Sequence, residues 1–403
     1  MRFSEGKKRI SQRVAMAIVV LAVLAAFACL TGCSSSGRST KAIAVADSGN
    51  NRVLIYKYPI TTDGQPANLV LGQPGFITAA GVASAIGMTA PGDVAEDNAG
   101  NLYVADTGNN RILQFVAPFT DGMAASVAIG QPSGATNLTT NGFSDTNTGL
   151  ERPIGLAFDH SGNLWVVDNL NNRIVEYVPP FTAGMAASVV IGQTGFGLNA
   201  PGTSQTTLRA PAWIAFDGSG NLWVTDQDNN RVLEYSQASL TANGPAAAVV
   251  IGQSGYSAGA LLGTNPAANT FDEPLGIAFD HAGNLWVGDF NNNRVLEFMP
   301  PFTPNLTNSI TASVALGQID LNHNNAVSPS QSGFSNPLGL DFDSRGNLAV
   351  ADEANSRTMA FKPPFTTDQL AEGVLGQPGF VTNGAVPPTA ASQAFPFSVR
   401  ALY

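Results

Sequence analysis

Apolar and polar positions alternate with a period of two in short runs along most of this chain, and Gly, Asn and Pro break the runs at regular intervals. One stretch shows the pattern in full. Residues 154–159 form a short apolar run after Pro153, Ser161-Gly162-Asn163 signals a tight turn, and 164–167 resume the run. Residues 168–172 turn the chain into a third run over 173–178, which Pro179-Pro180-Phe181-Thr182 breaks. Residues 188–192 make a fourth, closing on Gly192-Gln193. No helical period interrupts these units, so the pattern predicts four antiparallel strands, a to d.

The unit recurs. Ala46-Asp47-Ser48-Gly49-Asn50-Asn51-Arg52 returns as Ala105-Asp106-Thr107-Gly108-Asn109-Asn110-Arg111, then over 168–173, 226–231, 289–294 and 352–357. The aspartates Asp47, Asp106, Asp168, Asp226, Asp289 and Asp352 are spaced 59, 62, 58, 63 and 63 residues apart. The Gly-Gln pair also recurs, at Gly72-Gln73, Gly130-Gln131, Gly252-Gln253, Gly317-Gln318 and Gly376-Gln377. Six such units predict an all-β, six-bladed β-propeller. The first unit starts at Lys41 with strand b and has no strand a of its own. The last residues, 396–402, read as an isolated strand a. Pairing them with 42–47 completes the first blade and closes the ring, leaving no open sheet edge at the seam.

The Asp-x-x-Asn-Asn-Arg units and the Gly-Asn-Leu-Trp-Val strands resemble the NHL-repeat family over nearly all of residues 41–403. Blade six departs with Ser356 for the second Asn, and the units here are longer than the family's usual one. The excess falls between strands d and a.

The N-terminus reads as a processing signal. Arg2, Lys7, Lys8, Arg9 and Arg13 precede an uncharged apolar run over 14–30 and then Leu30-Thr31-Gly32-Cys33. The run is about the length of a minimal membrane span, but the four residues ending in Cys33 resemble the bacterial lipobox. That resemblance implies cleavage of 1–32, lipidation of Cys33 and a polar tether to residue 40. It also implies an exported protein anchored in the cell envelope, with Ser34 favouring an outer membrane where two are present. Cys29 then leaves with the signal, so no cysteine remains for a disulfide or a thiolate site. The net charge falls from −10 to −14, because the signal carries five basic residues and Glu5. A body that acidic is repelled by phosphate backbones, so nucleic acid is not an expected partner. A monomer is expected.

In a propeller the b–c and d–a connections share one face of the ring. The d–a connections are long inserts, 76–90, 132–152, 195–210, 254–273, 320–336 and 378–394, rich in Gly, Ser, Thr, Asn and Ala. Long loops on a rigid scaffold are where binding usually resides, although inert decoration is the alternative. The Asp of each b–c turn is expected to accept turn N–H groups and pair with its own arginine, Arg52, Arg111, Arg173, Arg231, Arg294 or Arg357. That role is structural. Trp165, Trp223 and Trp286, with Tyr103 in the same register, are expected to pack between blades.

Departures from the repeat in the innermost strands are the candidate site. Asp341 and Arg400 stand where Ala95, Ala157, Ala215 and Ala278 are usual, Glu96 replaces a Phe, and Asp93 replaces a Gly. Buried charges are costly unless paired, so Arg400 is expected to pair with Glu96 or Asp341, with Asp93 adding acceptor density nearby. Such a pair would fix the closing strand or polarise one side of the channel.

The resemblance admits enzymes, including metal-dependent lyases with His ligands around the channel. This chain has three histidines, His160, His281 and His323, with only His323 in an insert. That set does not make a His-rich zinc site. No nucleophile elbow and no phosphate-cradling loop is present. The chain therefore reads as a non-catalytic binding or scaffold lipoprotein, engaging a protein, peptide or envelope glycan through the insert face, without a cofactor. The alternative is a propeller-type hydrolase or lyase using channel carboxylates, with Ca2+ or another divalent cation on Asp93, Glu96 and Asp341. A propeller serving only as a spacer in a matrix or sensory role is a third reading.

Overall fold

The computed structural model describes residues 39–131, 142–260, 266–302, 310–325, 328–383 and 387–403. The expected signal, Cys33 and the tether up to residue 38 lie outside the described residues, as do 303–309 and parts of four inserts (132–141, 261–265, 326–327 and 384–386). Among the described residues, no helix is long and apolar enough to cross a membrane.

The protein is a six-bladed β-propeller of four-stranded antiparallel sheets. Blade three, for example, runs Pro153–Phe158, Leu164–Asp168, Arg173–Tyr177 and Val189–Ile191 from the inside out. The first blade is closed as expected, with Pro396–Leu402 innermost and Ala42–Asp47 beside it. Their register sets Ala42 opposite Leu402, Ala44 opposite Arg400 and Ala46 opposite Ser398. The seam between the two chain ends is therefore a hydrogen-bonded strand pair.

The repeated Asn-Asn-Arg has a backbone cause. Its second Asn takes the left-handed conformation, with φ of 55° at Asn51, 54° at Asn110, 51° at Asn172 and Asn230, and 52° at Asn293. Asn tolerates that region better than most residues with a side chain. Ser356 is held there at φ 52° in the one unit that lacks the Asn.

Blades pack through aromatic side chains. Trp223 of blade four meets Phe279 and Phe302 of blade five at 5.8 and 4.8 Å between ring centres, edge to face. Trp286 meets Phe342 and Phe365 of blade six in the same way, at 5.8 and 4.8 Å. Trp165 faces Phe216, and Tyr103 faces Phe158 and Phe181. Each indole N–H also donates to the a–b turn aspartate of its own blade, at 3.1 to 3.2 Å. The innermost strands approach closely. A Cβ on Gly276 would stand 2.1 Å from the Leu338 carbonyl oxygen, and one on Gly339 would stand 2.6 Å from the Ser398 Cα.

Candidate functional site

The structure gathers all four candidate charges at the closing strand. Arg400, its side chain 17% exposed, meets the fully buried Asp93 with Nη2 2.9 Å from Oδ2 and Nε 3.3 Å from Oδ1. Its Nη2 also donates to the Leu156 carbonyl at 3.2 Å. The expected partners were Glu96 and Asp341, and the direct ion pair is to Asp93 instead. The cause is strand alignment. The backbone N–H of Tyr403 reaches Glu96 Oε2 at 2.6 Å, so Arg400 and Tyr403 lie beside Asp93 and Glu96 in step. Glu96 is thus three residues further along its strand than the carboxylate Arg400 meets, a rise of about 10 Å. Asp341 Oδ2, from blade six, accepts the backbone N–H of Ala401 at 2.9 Å.

Three carboxylates from the two flanking blades therefore each grip one of the last four residues. Burial pushes the Asp341 carboxyl above the usual carboxylate range, with Arg400 pulling the other way. Burial works against charge on Arg400, but Asp93 and Asp341 outweigh it and hold its pKa above the ordinary arginine value. Asp93 also accepts the backbone N–H groups of Val94 at 2.9 Å and Leu156 at 3.0 Å. Four N–H donors fill its two oxygens, so Asp93 could become a metal ligand only by giving up that latch.

The channel is plugged towards the insert face. Trp213 and Phe397 begin the innermost strands of blades four and one, which stand opposite each other in the ring. Their rings stack at 5.2 Å and 27°. Ile154, Leu275 and Leu338 complete the same apolar cluster. The sequence signal was present, since Trp213 replaces the usual Gly of strand a, but the contact depends on ring closure.

The repeat arginines reach further than their own turns. All six Asp–Arg pairs have both side chains fully buried, at 2.6 to 2.7 Å. Burial raises the pKa of every one of these aspartates, with its arginine opposing, and Asp168 is pushed up to about 6. Arg52 donates to Phe76 O at 2.5 Å in one insert, and to Thr389 O at 3.0 Å and Ser392 O at 2.8 Å in the preceding one. Arg294 likewise joins Leu321 O to Ala267 O and Thr270 O, and Arg231 joins Tyr256 O to Ser204 O and Thr207 O. The aspartates help, as Asp47 accepts the N–H of Ala394 at 2.6 Å and Asp106 that of Thr89 at 2.7 Å. Consecutive inserts are thereby tied into a crown.

Apolar residues protrude from that crown. Of the thirteen large hydrophobic residues exposed among those described, nine lie on the insert face, including Ile77 (81% exposed), Val381 (80%), Ile319 (65%) and Phe143 (64%). His323 also sits here, its Nδ1 2.7 Å from Asp320 Oδ1. The chain enters the ring on the opposite face, where Thr40 and Ser344 exchange hydrogen bonds of 2.9 and 2.8 Å.

The NHL repeat model matches residues 89–115 and 271–298, in the second and fifth units. No curated protein matches the chain. Among solved structures, a protein of unknown function from Bacteroides caccae is 11% identical, with 90% of this chain and 98% of that one covered and a TM-score of 0.50. A chain of a nidogen/laminin complex is 15% identical, covering 83% and 97%, with a TM-score of 0.49. A virginiamycin B lyase from Staphylococcus aureus is 14% identical, covering 83% and 85%, with a TM-score of 0.43. At these identities the likeness is one of fold alone.

Proposed function

We propose that this six-bladed, NHL-repeat propeller is a non-catalytic binding module of the cell envelope that engages its partner through the insert face. The observation carrying this reading is the set of protruding apolar side chains on a crown that buried arginines hold in place. Loops held on a rigid scaffold are where binding usually resides, and apolar side chains presented there suit contact with a protein surface. They favour a protein or peptide over a glycan. The inner-strand carboxylates are engaged in latching the C-terminal strand, which supports a structural role for them over acid–base work.

Lipidation at Cys33 would complete the arrangement. Cys33 lies six residues before Ser39, a reach of about 20 Å. The chain enters on the face of the a–b turns, so an anchor there would hold that face towards the bilayer and leave the crown outward. Immobilised protein lacking residues 1–32 should retain an envelope component, and Ile77→Asp with Val381→Asp should abolish retention. Val178→Asp with Met299→Asp, on the other face, should leave it intact. Equal loss from both pairs, or from the second alone, would overturn the insert-face reading.

A further inference from the structure

The interface between blades six and one lacks the aromatic cluster that fills the four interfaces from blade two to blade six. So does the one between blades one and two, where Ala44 and Glu96 stand in the Trp and Phe positions. In blades three to five, a row of Trp, Glu and Val crosses strands b, c and d, as Trp165, Glu176 and Val189 do. Blade six has Ala349, Ala360 and Gly373 in that row, paired in the same register. Blade one does not compensate, because Ala401 stands where blades three to six have Phe, and Ile60 stands where Phe302 and Phe365 stand. The result is a cleft of about 230 Å3 whose walls include Ile43, Ile60, Ala349, Ala360, Gly373 and Ala401.

The hydrogen-bond acceptor of the missing indole is still in place. Asp343 occupies the a–b turn position from which Asp159, Asp217 and Asp280 accept indole N–H groups. Here its Oδ2 accepts the phenol O–H of Tyr58 at 2.6 Å, from the opposite wall, together with Asn347 Nδ2 at 2.7 Å. Arg345 lies over the Tyr58 ring at 5.3 Å. Tyr58 is half-buried and belongs to a connection, so its ring can yield the acceptor to a competing donor.

We propose that this seam cleft binds a planar aromatic ring bearing an N–H donor, of the indole type, in the place that tryptophan fills at the three interfaces between blades three and six. The volume suits one ring system and falls below that of pockets for larger ligands, roughly 300 Å3 and above. The ring lies between the two blade faces, and its N–H replaces the Tyr58 hydroxyl on Asp343. The source is a free indole or the side chain of a tryptophan in a peptide, since both present the same ring and donor.

Saturation-transfer NMR and calorimetric titration with indole, N-acetyl-L-tryptophanamide and cyclohexanol test this. Both aromatic probes should bind, with cyclohexanol at least about tenfold weaker, and the tighter aromatic probe identifies the source. Ala349→Trp fills the cleft from within and should cut aromatic affinity at least about tenfold while raising Tm. Gly373→Val is the second filled variant, because a Cβ there meets only the Ala360 Cβ at 3.9 Å. Tyr58→Phe removes the competing donor and should tighten indole binding. Absence of binding to the wild type, equal binding in both filled variants, or a preference for cyclohexanol would overturn the proposal.

Discussion

Arg400 and Asp93 form a two-pronged ion pair between the closing strand and the inner wall of blade two, with contacts of 2.9 and 3.3 Å. Removing one partner of a buried pair leaves the other charge uncompensated, which costs about 3–5 kcal/mol. Arg400→Ala and Asp93→Asn should each lower Tm accordingly in chemical and thermal melts. The double variant should lose less than the sum of the two. An unchanged Tm in Arg400→Ala would sink the latch.

Arg231 holds carbonyls of two different inserts while paired to Asp226. Arg231→Ala should therefore raise amide hydrogen exchange over 202–208 and 254–258 together, besides lowering stability by about 3–5 kcal/mol. Faster exchange confined to the 226–231 turn would show that the arginine serves its own turn only.

Glu234 is the strand-c carboxylate that its neighbours do not satisfy. Glu176 and Glu297 accept from Asn163 and Ser188, and from Asn284 and Ser313. At the position of those serines blade four has Ala248. Burial, with Asp217 adding repulsion, pushes Glu234 up to about 7. A carboxyl whose pKa is higher folded than unfolded holds its proton preferentially in the native state, so its ionisation costs stability as pH rises from about 4.5 through 7. Glu234→Gln should be more stable than wild type at pH 8, and the advantage should vanish below pH 4.5. An advantage independent of pH would contradict this ionisation.

Deleting residues 396–403 removes the inner strand of blade one and exposes the edge of Ala42–Asp47. Unpaired edges recruit other chains. The truncated protein should lose its cooperative melt and elute as oligomers in size-exclusion chromatography. A monomer with the wild-type Tm would show that the seam does not hold the ring.

The architecture was legible because local chemistry repeats it. Asn at the left-handed turn position, Gly-Gln after strand d and the stray strand at 396–402 each mark a backbone requirement that sequence displays directly. The partner of Arg400 was not, because it depends on how far one inner strand is shifted along its neighbour. The Trp213–Phe397 stack needs two opposite blades to meet, which only the closed ring arranges. The acceptors of the repeat arginines are backbone carbonyls, which leave no mark in residue identity. The row Ala349, Ala360 and Gly373 is readable once strands b, c and d are aligned across blades, a comparison that departures in the innermost strands do not make.

The insert face is most directly tested by photocrosslinking in cells making the full-length chain. A benzophenone amino acid at Ile77 or Val381 of the crown should yield a defined adduct. The same group at Ser161 or Ala282, in exposed a–b turns on the opposite face, should yield none. Adducts from Ser161 or Ala282, with none from Ile77 or Val381, would contradict the account.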